Sequence, residues 1–405
     1  MSTDDPEMLD PLAPTESEVD EWFDEEDEDT EAEDPAPTPP EKSIEEKYAD
    51  SQIRVVRSNM DFSLHMLKES ASSNSWINRS PDYQRRHRWD SRKRSQLIES
   101  ILMNIPIPPI FLYENEYNQY EVMDGRQRLD TTIEFLEDRF KLRGLEFWKE
   151  LNGKSYKSLP PLIQRGLLRR TMSAIVLLAE TRRSSSAEEQ DIRMIMFRRL
   201  NTGGAALNPQ ELRNALYQSK FNKEIRNLAR SPTFAKVWGI PHVVVAEGES
   251  VPPELSRNVL YKTMADCELV LRFFAIRETI QMGLRAPLRR LLDDCLKRHE
   301  ADTEEQVNAL SALFSQCLST LNDVFDDKPF RLPEGRVSRP LYDALMVAYS
   351  MNPAPDVIQR KGAIQGALRR ALADRREYNV LIGRGNTVDS IIDRVELAQR
   401  ILAVS

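Results

Sequence analysis

The chain has 405 residues, of which 40% are hydrophobic, 30% are charged and three are cysteine. This is enough apolar material to bury a core, and no apolar run reaches the roughly 18–20 residues that span a bilayer, so a membrane protein is not expected. The odd, scattered cysteines exclude a paired disulfide framework. They predict reduced thiols in a helical core, a cytoplasmic protein and no zinc site.

The net charge of -9 comes from one end of the chain. Residues 1–50 contain 21 Asp or Glu and two Lys, which leaves 54 basic and 44 acidic residues in 51–405 and a net charge of +10 there. Residues 51–405, called the basic body below, therefore predict polyanionic partners such as DNA or nucleotide phosphates. An ordinary solvated surface is the alternative interpretation of the same charge.

The N-terminal segment 1–48 is predicted to be a disordered acidic tail. Its acidic run 24–29 precedes prolines at 35, 37, 39 and 40, and it has too little apolar surface to offset the loss of chain entropy. Trp22 and Phe23 stand just before that run. They are incidental aromatics of a solvating tail, a docking element for a partner, or part of a segment that folds back onto the basic body.

Residues 49–215 carry the patterns of a mixed α/β domain. Short apolar runs predict strands at 110–113 and 120–123, which form a hairpin, and a buried strand at 174–178. Asp90 is the expected cap of a helix that ends near 103. Further predicted elements are extended chain at 76–79 and helices at 61–70, 125–137, 160–170 and 188–200.

The remaining chain, 216–405, is helix-like almost throughout, with interruptions near 239–256, 285–287 and 327–340. Just before it, Asn208-Pro209-Gln210-Glu211 has the cap, the proline and the glutamate of a capping box, which predicts a helix start. The sequence therefore predicts an α+β protein, in which a small mixed-sheet domain (49–215) is followed by an all-helical domain (216–405).

The turn Asp124-Gly125-Arg126-Gln127-Arg128 follows the second hairpin strand and opens a helix. The glycine allows close approach of a ligand, the helix start presents unpaired N–H groups, and the two arginines suit bidentate phosphate contacts. Asp124 is a candidate ligand of a divalent cation such as Mg2+, and Gln127 is a candidate to position a water. The alternative is structural: Asp124 caps the helix, and Arg126, Asp130 and Glu134 form surface ion pairs.

Two other clusters are rich in arginine. Tyr83-Gln84-Arg85-Arg86-His87-Arg88-Trp89 places basic and aromatic side chains together, as phosphate backbone binding and base stacking require. A basic strand edge with a buried Trp89 explains it equally well. The second cluster, Arg198-Arg199-Leu200-Asn201-Thr202-Gly203-Gly204, has the composition of an ordinary helix end.

Taken in order, these clusters resemble the N-terminal domain of the Gmr-type, modification-dependent restriction endonucleases, a domain similar to the ParB/sulfiredoxin-like fold. The resemblance covers about 83–217 and includes the segments 97–102, 107–109 and 207–213. A weaker likeness continues at 341–345. The whole ordered set is specific for the family, whereas each motif alone is not.

The resemblance implies a nucleoside triphosphate (NTP) site, with Mg2+ as the candidate metal, in a protein that acts on DNA in a bacterial restriction or anti-phage system. It implies roles for the following residues. The catalytic set is Asp124, Gln127 and Arg128; the nucleotide-binding set is Gly125, Arg126, Thr131, Arg85 and Asn201; the nucleic-acid-binding set is Tyr83, Arg86 and Arg88.

Three departures from the family pattern qualify this expectation. The family usually has Gln where Arg126 stands and Thr where Asp130 stands. No HNH-like run surrounds any of the four histidines (at 65, 87, 242 and 299), and His299 is expected to be a solvated helix residue. A non-enzymatic, nucleotide-gated DNA-binding adaptor is therefore the alternative to an NTPase. A nuclease or defence-system protein and a second copy of the chain are further candidate partners.

Overall fold

The computed structural model describes residues 14–28, 55–70, 76–78, 89–179, 196, 199, 208–243, 251–383 and 385–404. The chain divides into two compact units: 38–207, called the sheet unit below, and 208–405 together with 1–37, called the helical unit. Among the described residues, no helix combines the length and the apolarity that crossing a bilayer requires. The prediction of an α+β protein is confirmed.

The sheet unit is built on a mixed five-stranded sheet with the order β1-β5-β3-β4-β2. Strands β3 and β4 form the predicted antiparallel hairpin, β5 runs parallel to β3, β1 is antiparallel to β5, and β2 is parallel to β4. The strands are β1 (Val55–Ser63), β2 (Ile77–Asn78), β3 (Ile110–Glu116), β4 (Gln119–Asp124) and β5 (Thr171–Ala179).

In the described part of this unit, the α-helices that accompany the sheet are α2 (Leu64–Glu69), α3 (Ser91–Leu102), α4 (Arg126–Leu136) and α5 (Pro161–Arg169). Asp90 caps α3 as predicted, because its carboxylate accepts a 2.8 Å hydrogen bond from the Lys93 backbone. The core between sheet and helices includes Ile98 of α3 and Leu129 and Ile133 of α4. The helix predicted at 188–200 lies outside the described residues, except for positions 196 and 199, which are helical.

Strand β1 was not predicted, and the helix predicted at 61–70 begins only at Leu64. Phe62 is buried, but most other described side chains of β1 are exposed, so the strand lacks an alternating pattern. Its stability comes instead from continuous pairing with β5, from Val55 opposite Ala179 to Ser63 opposite Thr171. Such long-range pairing leaves no local signal in the sequence.

The helical unit begins its C-terminal part at Asn208, so helix 209–216 belongs to it rather than to the preceding unit. The capping box is as predicted: Asn208 and Glu211 exchange hydrogen bonds of 2.8 and 3.0 Å. Arg213 fixes this helix to its unit through a 2.8 Å ion pair with Asp293. The described helices of this part are α6 (Pro209–Leu216), α7 (Lys220–Ala229), α8 (Pro232–Trp238), α9 (Pro253–Arg257), α10 (Val259–Lys262), α11 (Ala265–Met282), α12 (Leu288–Arg298), α13 (Glu304–Val324), α14 (Arg339–Met351), α15 (Lys361–Ala373), α16 (Arg375–Ile382) and α17 (Val388–Leu402).

Helix α1 (Glu16–Glu28) corrects the prediction of disorder for 1–48 over its own length. Val19 and Phe23 are buried in the core of the helical unit, and the Trp22 ring packs edge-on against Trp238 at 6.3 Å. Arg339 lies 5.0 Å from the Trp22 ring and donates a 3.1 Å hydrogen bond to its carbonyl. The aromatic pair therefore folds back onto the basic body, because the i, i+3, i+4 spacing gives this acidic segment one apolar face.

Candidate functional site

The turn between β4 and α4 depends on a glycine. Gly125 has a φ of 87°, in the left-handed region, and it caps α4 without any side-chain hydrogen bond. A Cβ atom at this position would lie 2.6 Å from Ile110 Cγ2 and 3.0 Å from Ile110 Cα at the start of β3. The glycine therefore serves both the backbone conformation and the close approach of two strands. The turn leaves the first N–H groups of α4 at the end of β4.

Arg128 connects the elements around this turn. Its terminal nitrogen donates 3.1 Å hydrogen bonds to Asp124 Oδ2 and to the Pro109 carbonyl. The side chain is largely buried, and its Nε has no hydrogen-bond partner among the described residues. A buried guanidinium with an unsatisfied donor is uncommon. This N–H is enclosed by the surrounding atoms, so an acceptor can reach it only after a local rearrangement.

The neighbouring side chains of α4 are also engaged. Arg126 Nε binds Asp130 Oδ2 at 2.9 Å, with 15% and 27% of the two side chains exposed. The Gln127 side-chain oxygen accepts a 3.2 Å hydrogen bond from the Trp89 backbone, directly before the cap of α3. The N-terminal ends of α3 and α4 are therefore joined. None of these groups lies on an open, solvent-exposed face.

Of the surface ion pairs that the sequence suggested among Arg126, Asp130 and Glu134, only one is present in the described part of the chain. Arg126 does pair with Asp130, but Glu134 pairs with Arg94 of α3 rather than continuing a ladder along α4. Asp124 does not cap the helix; it pairs with Arg128. The turn thus carries two arginines and two carboxylates in separate pairs. A phosphate that binds here has to compete with Asp124 and Asp130 for the guanidinium groups.

The remaining predicted residues are placed as follows. Thr131 is 3% exposed, so its side chain is buried in the domain, unlike the partly exposed Asp124 and Arg126. Thr132 is also buried and donates a hydrogen bond to the Arg128 carbonyl. The residues that lie outside the described part of the chain are Tyr83, Arg85, Arg86, Arg88 and Asn201.

Sequence reasoning missed an aromatic loop that is anchored to α3. The buried carboxylate of Glu99 accepts backbone hydrogen bonds from Glu146, Phe147 and Trp148 at 2.8–3.2 Å. Burial raises the pKa of Glu99, but these three hydrogen bonds outweigh it and leave the pKa below its ordinary value. The loop presents Phe147, which is 70% exposed, and Trp148 on the surface. A sequence gives no signal for this, because the carboxylate and the loop are nearly 50 positions apart.

A comparison with family models covers this part of the chain. Residues 65–218 match the GmrSD restriction endonuclease N-terminal domain. The resemblance drawn from the ordered motifs is confirmed for this range. It includes β2 to β5 and the Gly125 turn, so the site described above lies within the GmrSD-type domain. No curated protein and no solved structure matches the chain.

Proposed function

We propose that the GmrSD-type domain binds a nucleoside triphosphate at the Gly125 turn, and that the protein acts on DNA in a restriction or anti-phage system. The observation that carries this proposal is Arg128: a largely buried arginine at a glycine-hinged helix start, whose Nε has no hydrogen-bond partner among the described residues. Helix starts bind anions through their free N–H groups and dipole, and arginine adds bidentate contacts. The family match supports the DNA-directed part.

Each residue of the turn has a chemical role in this proposal. The phosphates take Arg126 and Arg128 as ligands and displace the two carboxylates. Asp124 would be the residue that holds Mg2+, which would neutralise charge on the phosphates. Gln127 orients the attacking water, and electrostatic stabilisation of the phosphoryl group by the arginines lowers the barrier.

The basic segment before α3 supplies the DNA and phosphate contacts implied by the resemblance. Arg88 directly precedes Trp89, whose backbone is bonded to Gln127. Tyr83, Arg86 and Arg88 are assigned to DNA, and Arg85 and Asn201 to the nucleotide.

Hydrolysis by the full-length protein tests the proposal. We expect Arg128→Ala to reduce NTP hydrolysis by about 100-fold or more, as loss of one transition-state donor commonly does. Arg139→Ala is the matched control, because Arg139 lies in the same unit but is 60% exposed and pairs only with Glu137 among the contacts described. Equal and slow phosphate release by wild type and Arg128→Ala, with and without DNA, would exclude the NTPase.

The 2.9 Å pair between Arg126 and Asp130 favours a second candidate, a nucleotide-gated DNA-binding adaptor without turnover. A carboxylate one turn from the phosphates weakens transition-state stabilisation more than it prevents binding. Calorimetry distinguishes the two functions: the adaptor binds nucleotide without releasing phosphate. It also binds DNA with a steep dependence on salt. Absence of both kinds of binding at low salt would exclude the adaptor.

A further inference from the structure

The helical unit brings together three side chains that no local pattern in the sequence associates. Glu278 lies on α11, Cys295 on α12, and His299 directly follows α12 as its C-terminal cap. One ligand atom from each lies within 4.8 Å of the other two. Cys295 is fully buried and the other two are partly buried. His299 is therefore not the solvated helix residue expected from the sequence.

The imidazole of His299 is held in a fixed orientation. Its Nδ1 contacts Asp302 Oδ2 at 2.6 Å, its Nε2 contacts Glu278 Oε1, and its ring packs on Phe221 with centroids 4.4 Å apart. A carboxylate on one ring nitrogen is the usual way in which proteins orient a metal-binding histidine. The second nitrogen, Nε2, is then directed at the cluster.

The geometry points to a divalent transition-metal site, with Zn2+ as the preferred ion, formed by Glu278 Oε1, Cys295 Sγ and His299 Nε2. Thiolate, imidazole and carboxylate are the ligands that Zn2+ prefers, and Cys295 and His299 share one helical face at i, i+4. Three protein ligands leave a fourth tetrahedral position for water. Ligand atoms around tetrahedral Zn2+ lie about 3.3–3.8 Å apart, so side-chain shifts of about 1 Å complete the site.

The charges around the cluster are compatible with a cation. Arg298 donates to Glu278 Oε2, the oxygen that the metal does not use, at 3.0 Å. Binding of Zn2+ releases two protons to solvent, the thiol proton of Cys295 and the proton shared between Glu278 Oε1 and His299 Nε2, and it replaces that hydrogen bond with two coordinate bonds. The two anionic ligands neutralise the metal, and the positive charge of Arg298, which pairs with Glu278, balances the negative charge of Asp302, which contacts His299.

Cobalt substitution tests the site in the full-length protein after treatment with a chelator. We expect one equivalent of Co2+ to produce a thiolate-to-cobalt absorption band that Zn2+ abolishes by displacement. Cys295→Ser should lose the band, whereas Cys317→Ser, which removes another buried thiol of the same unit, should keep it. Asp302→Asn should retain the band with an affinity about 10–100-fold lower.

Two results would overturn the inference. One is the absence of a thiolate band in the wild type at excess Co2+, and the other is an equal band in Cys295→Ser. Should Cys295→Ser fail to fold, the Co2+ affinity of Glu278→Gln decides instead, because this variant keeps the thiol and its band but loses one ligand. Metal affinity unchanged in both Glu278→Gln and Asp302→Asn would place the ion elsewhere.

Discussion

Gly125 and Arg128 determine each other's environment. The Arg128 terminal nitrogen lies 2.8 Å from the point that a Cβ at 125 would occupy, and from there it binds both Asp124 and the Pro109 carbonyl. Any side chain at 125 would displace this guanidinium. The glycine of the motif is thus required by packing as well as by its backbone angle.

Gly125→Ala should destabilise the GmrSD-type domain and weaken nucleotide binding. A left-handed alanine costs about 1–2 kcal/mol, and the overlap with Ile110 should add about 1–3 kcal/mol. Gly153→Ala is the matched control, because Gly153 also has a positive φ (81°), but a Cβ added there would have no atom within 4 Å among the described residues. Urea denaturation of both variants measures the difference. Equal losses of stability would show that packing at 125 contributes nothing.

Asp130→Thr, which restores the usual family residue, should strengthen nucleotide binding. The change removes the carboxylate that binds Arg126 Nε at 2.9 Å, and with it one competitor of phosphate for this guanidinium. Removal of one nearby negative charge should be worth roughly 1 kcal/mol, or about fivefold in affinity. Titration calorimetry with a non-hydrolysable nucleotide measures it, with Glu150→Gln as an exposed charge control. Weaker binding by Asp130→Thr would instead assign Asp130 to metal coordination.

Phe147→Ala should reduce DNA binding without unfolding the domain. Phe147 is 70% exposed on a loop anchored by Glu99, and the surrounding segment 140–157 contains five Lys or Arg and two Glu. Stacking of a base on an aromatic ring is worth about 1–3 kcal/mol, so at least a fivefold loss is expected. Leu162→Ala, which removes another exposed apolar side chain of this unit (75% exposed), is the control. Identical affinities in a fluorescence anisotropy assay would exclude a role for Phe147.

Glu99→Gln should destabilise the sheet unit at neutral pH by about 1.5–3 kcal/mol, because one backbone hydrogen bond is lost and the other two then end on a neutral instead of a charged acceptor. The folded pKa of Glu99 is lowered, so its contribution is complete above the ordinary value of 4.5 and is lost as the pH falls through the folded pKa. The difference between wild type and variant should therefore shrink in acid. Glu146→Gln, at an exposed position bonded to Arg92, should show neither effect. If the difference in the free energy of unfolding between wild type and Glu99→Gln stays constant with pH, the proposed contribution of the Glu99 charge is wrong.

Phe23→Ala should lower the stability of the helical unit by about 3–5 kcal/mol, as expected for a buried phenylalanine. This residue is 5% exposed within the core, although its segment is strongly acidic. Asp24→Ala, at the next and exposed position, should be nearly neutral. Thermal unfolding of both proteins measures the effect. If Phe23→Ala and Asp24→Ala are equally stable, residues 16–28 do not pack on the core and form a solvated tail.

The sequence by itself determined the features that are encoded within a few residues. The Asp90 cap, the Asn208–Glu211 capping box and the hairpin of β3 and β4 each depend on hydrogen bonds or pairing between near neighbours, so their residue types are sufficient evidence. The glycine hinge at 125 and its flanking arginines belong to the same class. The order of the motifs also indicated the domain family.

Only the tertiary structure decided which distant groups meet. Strand β1 exists because β5 lies beside it, α1 is a helix because its narrow apolar face reaches the core of the helical unit, and Glu278 joins Cys295 and His299 because α11 and α12 pack together. The sequence also did not indicate the partners of Arg94, Glu99 and Asp343. These partners are Glu134, the backbone at 146–148 and the buried Arg272. Such contacts depend on how whole helices and strands pack together. The pattern of residue types along an element shows which of its faces is buried, but it does not show which other element that face contacts.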